Sequence, residues 1–309
     1  MPNRVRQGWR SGRRRIRITL RQLAVFEAIA RCGSIAKAAD EIALSQSAAS
    51  MALRDLEAHL GVDLFAREGK RLLLSDYGRQ VQARASSLLR QAEELEKLTA
   101  GDELVGRLRL GATPALAHSA LSEACGRFTR VHPGVVIDLS VAASIDVIAK
   151  VHRMSLDMGF IGSPTNRSDL ETRDWIDDRL AIFCAPDHPC ARRIGACLTK
   201  LLAEDWALEK AMSSERISLT MEALKHLSSI RIVFESDSID AVKAAVRAGG
   251  MIGCLSRRTL TGEFARGELI DLEVPDLDVP RRATIIWKKD SYQGQLQSAF
   301  LDFVGAIEG

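Results

Sequence analysis

Between Gln46 and Arg54 the chain carries side chains that suit contact with the edges of DNA bases. A glutamine can donate and accept hydrogen bonds at the major-groove edge of adenine, and an arginine can reach guanine or a phosphate. Serine hydroxyls are small, so they let a helix backbone approach DNA closely. At helical spacing, five such side chains share one face: Gln46, Ser47, Ser50, Met51 and Arg54.

A pair of short helices would position that face. Ser34 is a predicted N-cap, and an apolar stripe follows it at helical spacing: Ile35, Ala38, Ala39 and Ile42. A turn at Ala43 and Leu44 leads to Ser45, the predicted N-cap of the second helix. The core-facing side of that helix is Ala49, Leu53, Leu56 and Leu60. The pattern favours a helix-turn-helix, although a solvated pair of amphipathic helices has the same periodicity.

Residues 61–78, GVDLFAREGKRLLLSDYG, predict a β wing after the second helix. A glycine ends the helix, Leu64 and Phe65 supply an apolar anchor, and a basic turn leads into alternating apolar residues. The basic residues of this segment are Arg67, Lys70 and Arg71.

Together with the preceding LRQLAVFEAIARCGS, this stretch resembles the winged helix-turn-helix domain of LysR-type transcriptional regulators. The family pattern is matched at Leu20, Gln22, Leu23, Phe26, Gly33, Ser34, Ala38, Ala39, Leu44, Ser45, Gln46, Ala48, Ser50, Leu56, Glu57, Leu60, Gly61, Leu64, Phe65, Arg67 and Gly78. The sequence departs from the pattern at Met51, where a basic or polar residue is usual, and at residues 75–77, where Ser-Asp-Tyr replaces a threonine-led helix entry.

The resemblance implies a transcriptional regulator that binds double-stranded DNA at an inverted-repeat operator as a homodimer or a homotetramer (a dimer of dimers). RNA polymerase is a possible further partner. The residues expected to contact DNA are Ser34, Ser45, Gln46, Ser47, Ser50, Met51, Arg54, Arg67, Lys70 and Arg71.

Charge is unevenly distributed along the 309 residues. Residues 1–75 hold 14 Lys and Arg against 7 Asp and Glu, which gives them a net charge of +7 within a total of +3. The remaining 234 residues therefore carry a net charge of −4. A basic head on a near-neutral body is typical of DNA-binding proteins. Residues 1–17 contain seven arginines and no acid, so we expect a disordered extension that is either an inert tail or a phosphate-contacting arm.

The sequence contains no apolar run of membrane-spanning length and no secretory signal pattern, so we expect a cytoplasmic protein with no membrane partner. From Asp76 to about Ala100 it predicts one long linker helix. Its apolar stripe is expected to pair with a second copy of the chain: Val81, Ala85, Leu88, Leu89, Ala92, Leu95 and Leu98.

Beyond Gly106, short β-like runs alternate with helical runs, which predicts an α/β body with a mainly parallel sheet covered by helices. The number of strands favours two lobes over one. The resemblance implies a two-lobed, periplasmic-binding-protein-like effector domain. The predicted parts are a basic extension, 1–17; a winged helix-turn-helix, 18–75; a linker helix, 76–100; lobe I, 107–165 and 266–309; and lobe II, 166–265.

Hydroxyl residues follow several predicted strands, where helix N-termini of open α/β sheets bind anions. Each of them is also explained by helix capping alone. The resemblance to the family's inducer cleft favours a small, anionic effector held by some of these positions. The candidates are Thr113, Pro114, Ser144, Ser213 and Ser236.

No motif for catalysis, metal or cofactor binding is present: the six histidines are dispersed, and no GxSxG or GxxxxGK run exists. Six cysteines lack CxxC spacing and are expected to be buried apolar residues: Cys32, Cys125, Cys184, Cys190, Cys197 and Cys254. We therefore expect no enzyme and no cofactor. The alternatives are a redox-sensing regulator and, less favoured, an α/β enzyme with an appended helix-turn-helix.

Overall fold

The computed structural model divides the chain into two compact units, Met1–Thr99 and Ala100–Gly309. It describes residues 16–68, 71–97, 104–162, 164–226, 228–277, 279, 281–289 and 291–306. Lys70, Leu98 and most of the predicted basic extension lie outside these ranges. None of the helices within them has an apolar stretch of the length that crossing a bilayer requires.

The first unit is a winged helix-turn-helix, as the sequence predicts. Its elements are α1 (Leu20–Cys32), α2 (Ile35–Glu41), α3 (Gln46–Leu60), β1 (Phe65–Glu68), β2 (Arg71–Leu74) and α4 (Asp76–Lys97). Strands β1 and β2 pair antiparallel, with Phe65 opposite Leu74, and form the wing. Phe26 and Leu56 are fully buried between the helices, and Leu64 anchors the wing in the same core.

Local capping signals fix the ends of these helices. Thr19 and Gln22 form a capping box at the start of α1, with N–H···O distances of 2.9 and 3.2 Å. Gly33 and Gly61 end α1 and α3 with φ of 63° and 72°, a left-handed conformation that glycine adopts at low cost. The predicted side-chain cap at Ser34 is absent, because its hydroxyl accepts no hydrogen bond from α2.

The apolar stripe of α4 is divided between two environments. Ala85 is buried, and Val81 and Leu89 pack against the helix-turn-helix core, because α1 lies along α4. Leu88 and Leu95 are 48% and 67% exposed. The expectation that the whole stripe is free for a second copy is therefore wrong for its first half.

The second unit contains helices and strands in alternation. Its helices are α5 (Pro114–Leu116), α6 (Ser122–Val131), α7 (Ser144–His152), α8 (Leu198–Leu201), α9 (Ser214–Lys225), α10 (Ile239–Arg247), α11 (Thr261–Arg266) and α12 (Gln295–Ala306). Its strands are β3 (Gly106–Ala112), β4 (Val135–Val141), β5 (Met158–Ile161), β6 (Leu170–Asp178), β7 (Leu180–Cys184), β8 (Asp205–Glu209), β9 (Arg231–Ser236), β10 (Ile252–Ser256), β11 (Ile270–Asp271) and β12 (Arg281–Lys288).

These strands form two five-stranded sheets among the described residues, which confirms the predicted two-lobed α/β architecture. Lobe I is built on the sheet of order β4-β3-β5-β12-β6, and lobe II on the sheet of order β11-β7-β10-β8-β9. The sheets are mixed rather than mainly parallel as expected. In lobe I, β3 pairs parallel with β4 and β5, whereas β12 pairs antiparallel with β5 and β6. In lobe II, β8 pairs parallel with β9 and β10, whereas β7 pairs antiparallel with β10 and β11.

Sheet membership also shifts the boundaries between the lobes. Strand β6 was assigned to lobe II through the predicted range 166–265, but it is an edge strand of lobe I and pairs with β12. Strand β11 was assigned to lobe I, but it pairs with β7 in lobe II. The chain therefore crosses from lobe I to lobe II at Arg179 and returns between β11 and β12.

Each lobe has an apolar core of its own. In lobe I, Phe128 and Phe300 pack edge to face with ring centroids 5.0 Å apart, and Phe160 lies next to them. In lobe II, Trp206 is fully buried, and its indole N–H donates to the Leu201 carbonyl at 3.2 Å. These cores hold the strand ends where the polar side chains of the second unit meet.

Candidate functional site

Helix α3 presents the face that the sequence predicts to contact DNA. Gln46, Ser47 and Arg54 are exposed, Met51 is 59% exposed, and Ser50 is half-buried on the same side. The opposite side packs into the core through Ala49, Leu53 and Leu56. A helix with one buried side and one side of mainly polar, partly small residues can enter the major groove while its buried side stays packed against the domain core.

The hydrogen bonds around this face are few and local. Ser45 caps α3 by accepting from the Ala48 N–H at 3.2 Å, and its hydroxyl lies 3.1 Å from that of Ser47. Arg54 makes a long contact of 3.4 Å from Nε to the Ser50 carbonyl. Its guanidinium and the Gln46 amide are therefore available to a ligand at low cost.

The turn before α3 holds a non-glycine residue in a strained conformation. Ala43 has a φ of 53°, in the left-handed region that side chains with a Cβ rarely adopt. Its neighbour Leu44 donates from its N–H to the Ala39 carbonyl at 2.8 Å and so ties the turn to α2. Ser34 lies at the other end of α2, half-buried. The tight turn thus fixes the angle at which α3 leaves the domain.

The wing carries two of the other predicted DNA-contacting positions. Arg67 lies in β1 and Arg71 begins β2, on either side of the hairpin tip. Lys70 belongs to the tip, outside the described residues.

In the second unit, Thr113 lies in a small cavity at the carboxyl ends of β3 and β5. Its N–H donates to the Phe160 carbonyl at 3.0 Å. Its hydroxyl is buried and has no hydrogen-bond partner within the described ranges, so Thr113 occupies the cap position of α5 without capping it through its side chain. An unpaired buried hydroxyl is uncommon in folded proteins, and a bound molecule is one explanation of it.

The cavity has a volume of about 10 Å³, which is room for about one water molecule, and charged residues contribute to its walls. It is lined by Thr113, Ala115, Leu116, Gly162, Asp178, Glu215, Arg281 and Ala283. All of these residues except Glu215 come from lobe I and its connections, whereas Glu215 comes from α9 of lobe II. The cavity therefore lies at the boundary between the two lobes.

An ion pair crosses this boundary. Arg281 Nη2 donates to Glu215 Oε1 at 2.8 Å and to Ser214 Oγ at 2.8 Å. The side chains of Arg281 and Glu215 are only 6% and 5% exposed. The second terminal nitrogen of the guanidinium, Nη1, is buried without a hydrogen-bond partner among the described residues. The pair is thus desolvated, and one of its donors is unused.

Other hydrogen bonds join the lobes beside the ion pair. Ser256 Oγ of lobe II donates to Asp178 Oδ1 of lobe I at 3.0 Å, and Arg258 Nε donates to the Asp177 carbonyl at 2.9 Å. Burial raises the pKa of the Asp178 carboxyl, while the hydrogen bond from Ser256 and the charge of Arg281 act in the opposite direction. The boundary is consequently rich in directional polar contacts.

A further buried carboxyl lies in lobe II, at the end of β8. Burial, reinforced by the negative charge of Glu215, raises the pKa of Glu209 to about 8, although Arg281 and a hydrogen bond with Ser213 lower it. One of its oxygens, Oε2, has no partner among the described residues. At neutral pH Glu209 is therefore mainly protonated in the folded protein.

The other predicted effector residues are not among those that line the cavity. Ser213 caps α9 by accepting from the Arg216 N–H at 3.0 Å. Ser144 is the first residue of α7 and follows the actual N-cap, Ala143. Ser236 ends β9 and accepts from the Ser238 N–H at 3.1 Å. Pro114 is the first residue of α5, directly after Thr113. Of the predicted set, Thr113 alone is among the residues that line this cavity.

Sequence reasoning missed four charged residues and one serine of the site: Asp178, Glu209, Glu215, Arg281 and Ser256. A weak signal was available, because Arg281 begins a mainly apolar strand and Glu209 ends one. Charges at such strand ends are ordinary on a protein surface. Nothing in the sequence indicates that Arg281 meets a carboxylate 66 residues away.

The thiols are mostly buried in apolar surroundings. Burial raises the pKa of Cys125 and of Cys184 to about 12 and that of Cys190 to about 11. Cys197 differs, because a hydrogen bond with Thr199 lowers the pKa of its thiol. Within the described ranges, His, Cys, Asp and Glu side chains form no group that could hold a metal ion.

Comparisons with known proteins agree with this architecture. Residues 20–79 match the family model of the bacterial regulatory helix-turn-helix proteins of the lysR family, and residues 101–307 match the LysR substrate binding domain. Over 289 residues the chain is 38% identical to the uncharacterized HTH-type transcriptional regulator YeiE of Escherichia coli K12, covering 93% of this chain and 97% of that protein.

One further sequence relative and one solved structure are also similar to the chain. The RuBisCO operon transcriptional regulator of Allochromatium vinosum is 30% identical over 291 residues, covering 93% of this chain and 95% of that protein. The CcmR regulatory domain of Synechocystis PCC6803, solved in complex with 2-PG, is 25% identical with a TM-score of 0.60, covering 65% of this chain and 97% of that domain. The chain therefore belongs to the LysR family of bacterial helix-turn-helix transcriptional regulators, in which a DNA-binding domain is joined to a domain that binds a small-molecule effector.

Proposed function

We propose that α3 reads the operator and that two copies of the chain bind its inverted repeat together. The observation that carries the first part is the exposed face of α3, where Gln46 and Arg54 have at most weak partners of their own. The second part is supported by Leu88 and Leu95, which project from α4 into solvent. Large exposed apolar side chains on one helix favour association with a second copy.

Titration of operator binding tests the reading role of α3. Gln46→Ala and Arg54→Ala should each weaken binding to the operator by about 1 to 3 kcal/mol if the contact to a base is bidentate. Neither should change the affinity for a scrambled duplex by as much. Arg84→Ala is the matched control, because Arg84 is exposed on α4. Unchanged discrimination between the two duplexes in both α3 variants contradicts the proposal.

The proposed effector site is the cavity at Thr113, and its ligand carries an anionic group. Two donors support this assignment, the hydroxyl of Thr113 and Nη1 of Arg281, because both are buried and unpaired in residues that line one cavity. Donors of this kind suit carboxylate or other oxyanion ligands. The CcmR domain, which binds 2-PG, is a relative in which the corresponding domain takes a small molecule.

Redox sensing is the weaker alternative. A thiolate is the reactive form of cysteine, and the raised pKa values of Cys125, Cys184 and Cys190 keep these thiols protonated. An enzymatic role is not part of the proposal, because the relatives are named as transcriptional regulators. Effector gating is therefore the mechanism that the geometry supports best.

Ligand binding to Thr113 variants tests the site. A metabolite panel is screened by thermal shift on the wild type, and the responding compound is titrated into Thr113→Ala and Thr113→Ser. We expect loss of affinity in the alanine variant and retention in the serine variant, which keeps the hydroxyl donor. Thr172→Ala, on the exposed side of β6, is the control. Equal affinity in Thr113→Ala and wild type, with folding intact, contradicts the assignment.

A further inference from the structure

The guanidinium of Arg281 binds a protein carboxylate through one of its two terminal nitrogens. Nη2 binds Glu215 Oε1 and Ser214 Oγ, each at 2.8 Å, while Nη1 has no hydrogen-bond partner in the part of the chain that the structure describes. Ser214 Oγ donates in turn to Glu215 Oε2 at 3.0 Å, so the carboxylate is held by both oxygens. The arrangement is a two-point recognition of a carboxylate by residues of both lobes.

The space beside Arg281 is tightly limited. A Cβ atom built on Gly162 would lie 2.9 Å from Arg281 Nη2 and 3.1 Å from Ser214 Oγ. A Cβ atom at 2.9 Å from Nη2 would displace the guanidinium, so glycine at this position lets the ion pair lie against the end of β5. The adjoining cavity, of about 10 Å³, is too small for an anion while Glu215 stays bound to Arg281.

The charge around Arg281 also opposes a second anion. Asp178 lies opposite Arg281 in the pairing of β6 and β12, and Glu209 and Glu215 interact electrostatically in lobe II. An incoming anion would meet the carboxyl groups of Asp178 and Glu215, which line the cavity, so it gains most if it takes the place of a carboxylate.

We infer that Glu215 is an internal competitor for the effector: its carboxylate occupies Arg281 in the ligand-free protein, and the anionic group of the effector replaces it. The inference rests on the effector site proposed above. The ligand then binds Arg281 and the Thr113 hydroxyl, and the ion pair between the lobes is broken. Binding is thereby coupled to the arrangement of the lobes, because a ligand shifts an equilibrium only through its different affinity for the two states.

Titration of simple anions into Glu215→Gln tests the competition. The probes are acetate, sulfate and inorganic phosphate, added to the full chain at constant ionic strength and followed by calorimetry and thermal shift. Glutamine keeps the size of the side chain but removes its charge. We expect at least one probe to bind Glu215→Gln tenfold more tightly than wild type or better, within the range of ordinary coupling between sites.

Two further variants separate the competition from other effects. Asp177→Asn removes an exposed carboxylate that pairs with Arg282 at 2.8 Å, and it should leave anion affinity unchanged, which excludes a general effect of net charge. The double variant Arg281→Met, Glu215→Leu replaces the buried pair with apolar side chains of similar size, an exchange that proteins often tolerate. It should fold and fail to bind the probes.

Three outcomes overturn the inference. They are equal anion affinity in Glu215→Gln and wild type, equal gains in Asp177→Asn and Glu215→Gln, and anion binding that survives in the double variant. Failure of the proposed effector site gives a different pattern, in which Thr113→Ala has no effect on any ligand. If Thr113→Ala abolishes binding while Glu215→Gln leaves it unchanged, the cavity is the effector site and Glu215 is not its competitor.

Discussion

Replacing Glu209 with glutamine removes one ionisable group from the boundary between the lobes and should change how stability depends on pH. The carboxyl of Glu209 is buried at the end of β8, and its pKa rises from the usual 4.5 to about 8 in the folded protein. Glutamine has nearly the same shape and stays neutral at every pH. The variant therefore imitates the protonated form.

The expected magnitude follows from linkage between protonation and folding. Between pH 4.5 and about 8 the unfolded chain releases this proton and the folded protein keeps it, so folding takes up a proton and stability falls as pH rises. The stabilisation is complete below the lower pKa and is lost as pH rises through the upper one. The difference between the two pKa values corresponds to a loss of at most about 5 kcal/mol in the free energy of unfolding, at about 1.4 kcal/mol per pKa unit.

Urea unfolding of the full chain at several pH values between 5 and 9 measures this effect. Tryptophan fluorescence is a suitable signal, because Trp175, Trp206 and Trp287 all lie in the second unit. The variant should equal the wild type near pH 5 and exceed it in unfolding free energy by several kcal/mol at pH 9. Asp178 retains its own raised pKa in both proteins, so the difference between them isolates Glu209.

Glu171→Gln is the control for this experiment, because Glu171 is 47% exposed on β6. It should follow the wild-type pH dependence. A Glu209→Gln protein whose unfolding free energy runs parallel to that of the wild type from pH 5 to 9 refutes the reasoning, since Glu209 would then ionise at the same pH in both states.

Three other predictions concern assembly, strain and thiols. Leu88→Glu together with Leu95→Glu should lower the mass measured by light scattering and weaken operator binding, and an unchanged mass contradicts pairing through α4. Ala43→Gly should raise the free energy of unfolding of the first unit by about 0.5 to 1 kcal/mol, because glycine adopts positive φ without strain. Thermal unfolding followed by circular dichroism measures this, and a less stable variant contradicts the prediction. Peroxide should not change operator binding of the wild type or of the double variant Cys184→Ser, Cys190→Ser, because both thiols stay protonated. A peroxide response of the wild type that the double variant lacks would favour redox sensing.

Elements with strong local signals were predictable from the sequence. Helix α3 has a serine cap, a buried stripe and a terminal glycine, and β7 and β10 are short apolar runs buried along their whole length. Strand β6 was missed because its sequence, LETRDWIDD, is mostly polar and its residues are mostly exposed. It becomes a strand through its pairing with β12, more than a hundred residues later in the chain. Such long-range pairing is absent from local periodicity.

The same distinction applies to the candidate site. Thr113 was found because a threonine and a proline at a strand end are a local pattern, and the resemblance to the family assigned that junction to the cleft. Arg281 and Glu215 were not identified, because they form an ion pair only where the two lobes meet. The predicted lobe boundaries place β6 and β11 in the wrong lobes for the same reason, because strand pairing joins residues far apart in the sequence. The mixed pairing places β6 and β12 together at the boundary, and this in turn brings Asp178 opposite Arg281.

The chemistry of the boundary explains how a small ligand could control two large lobes. Each lobe buries its apolar residues in clusters largely its own. The contacts between lobes include directional bonds at Glu215, Ser256 and Arg258. Hydrogen bonds of this kind contribute about 1 kcal/mol each, or up to about 3 kcal/mol when charged. Reversing a two-state population from 1:99 to 99:1 requires a ligand that binds the favoured lobe arrangement about 5.5 kcal/mol more tightly than the other. Two or three charged hydrogen bonds that form with ligand in only one of the two arrangements supply a difference of this size.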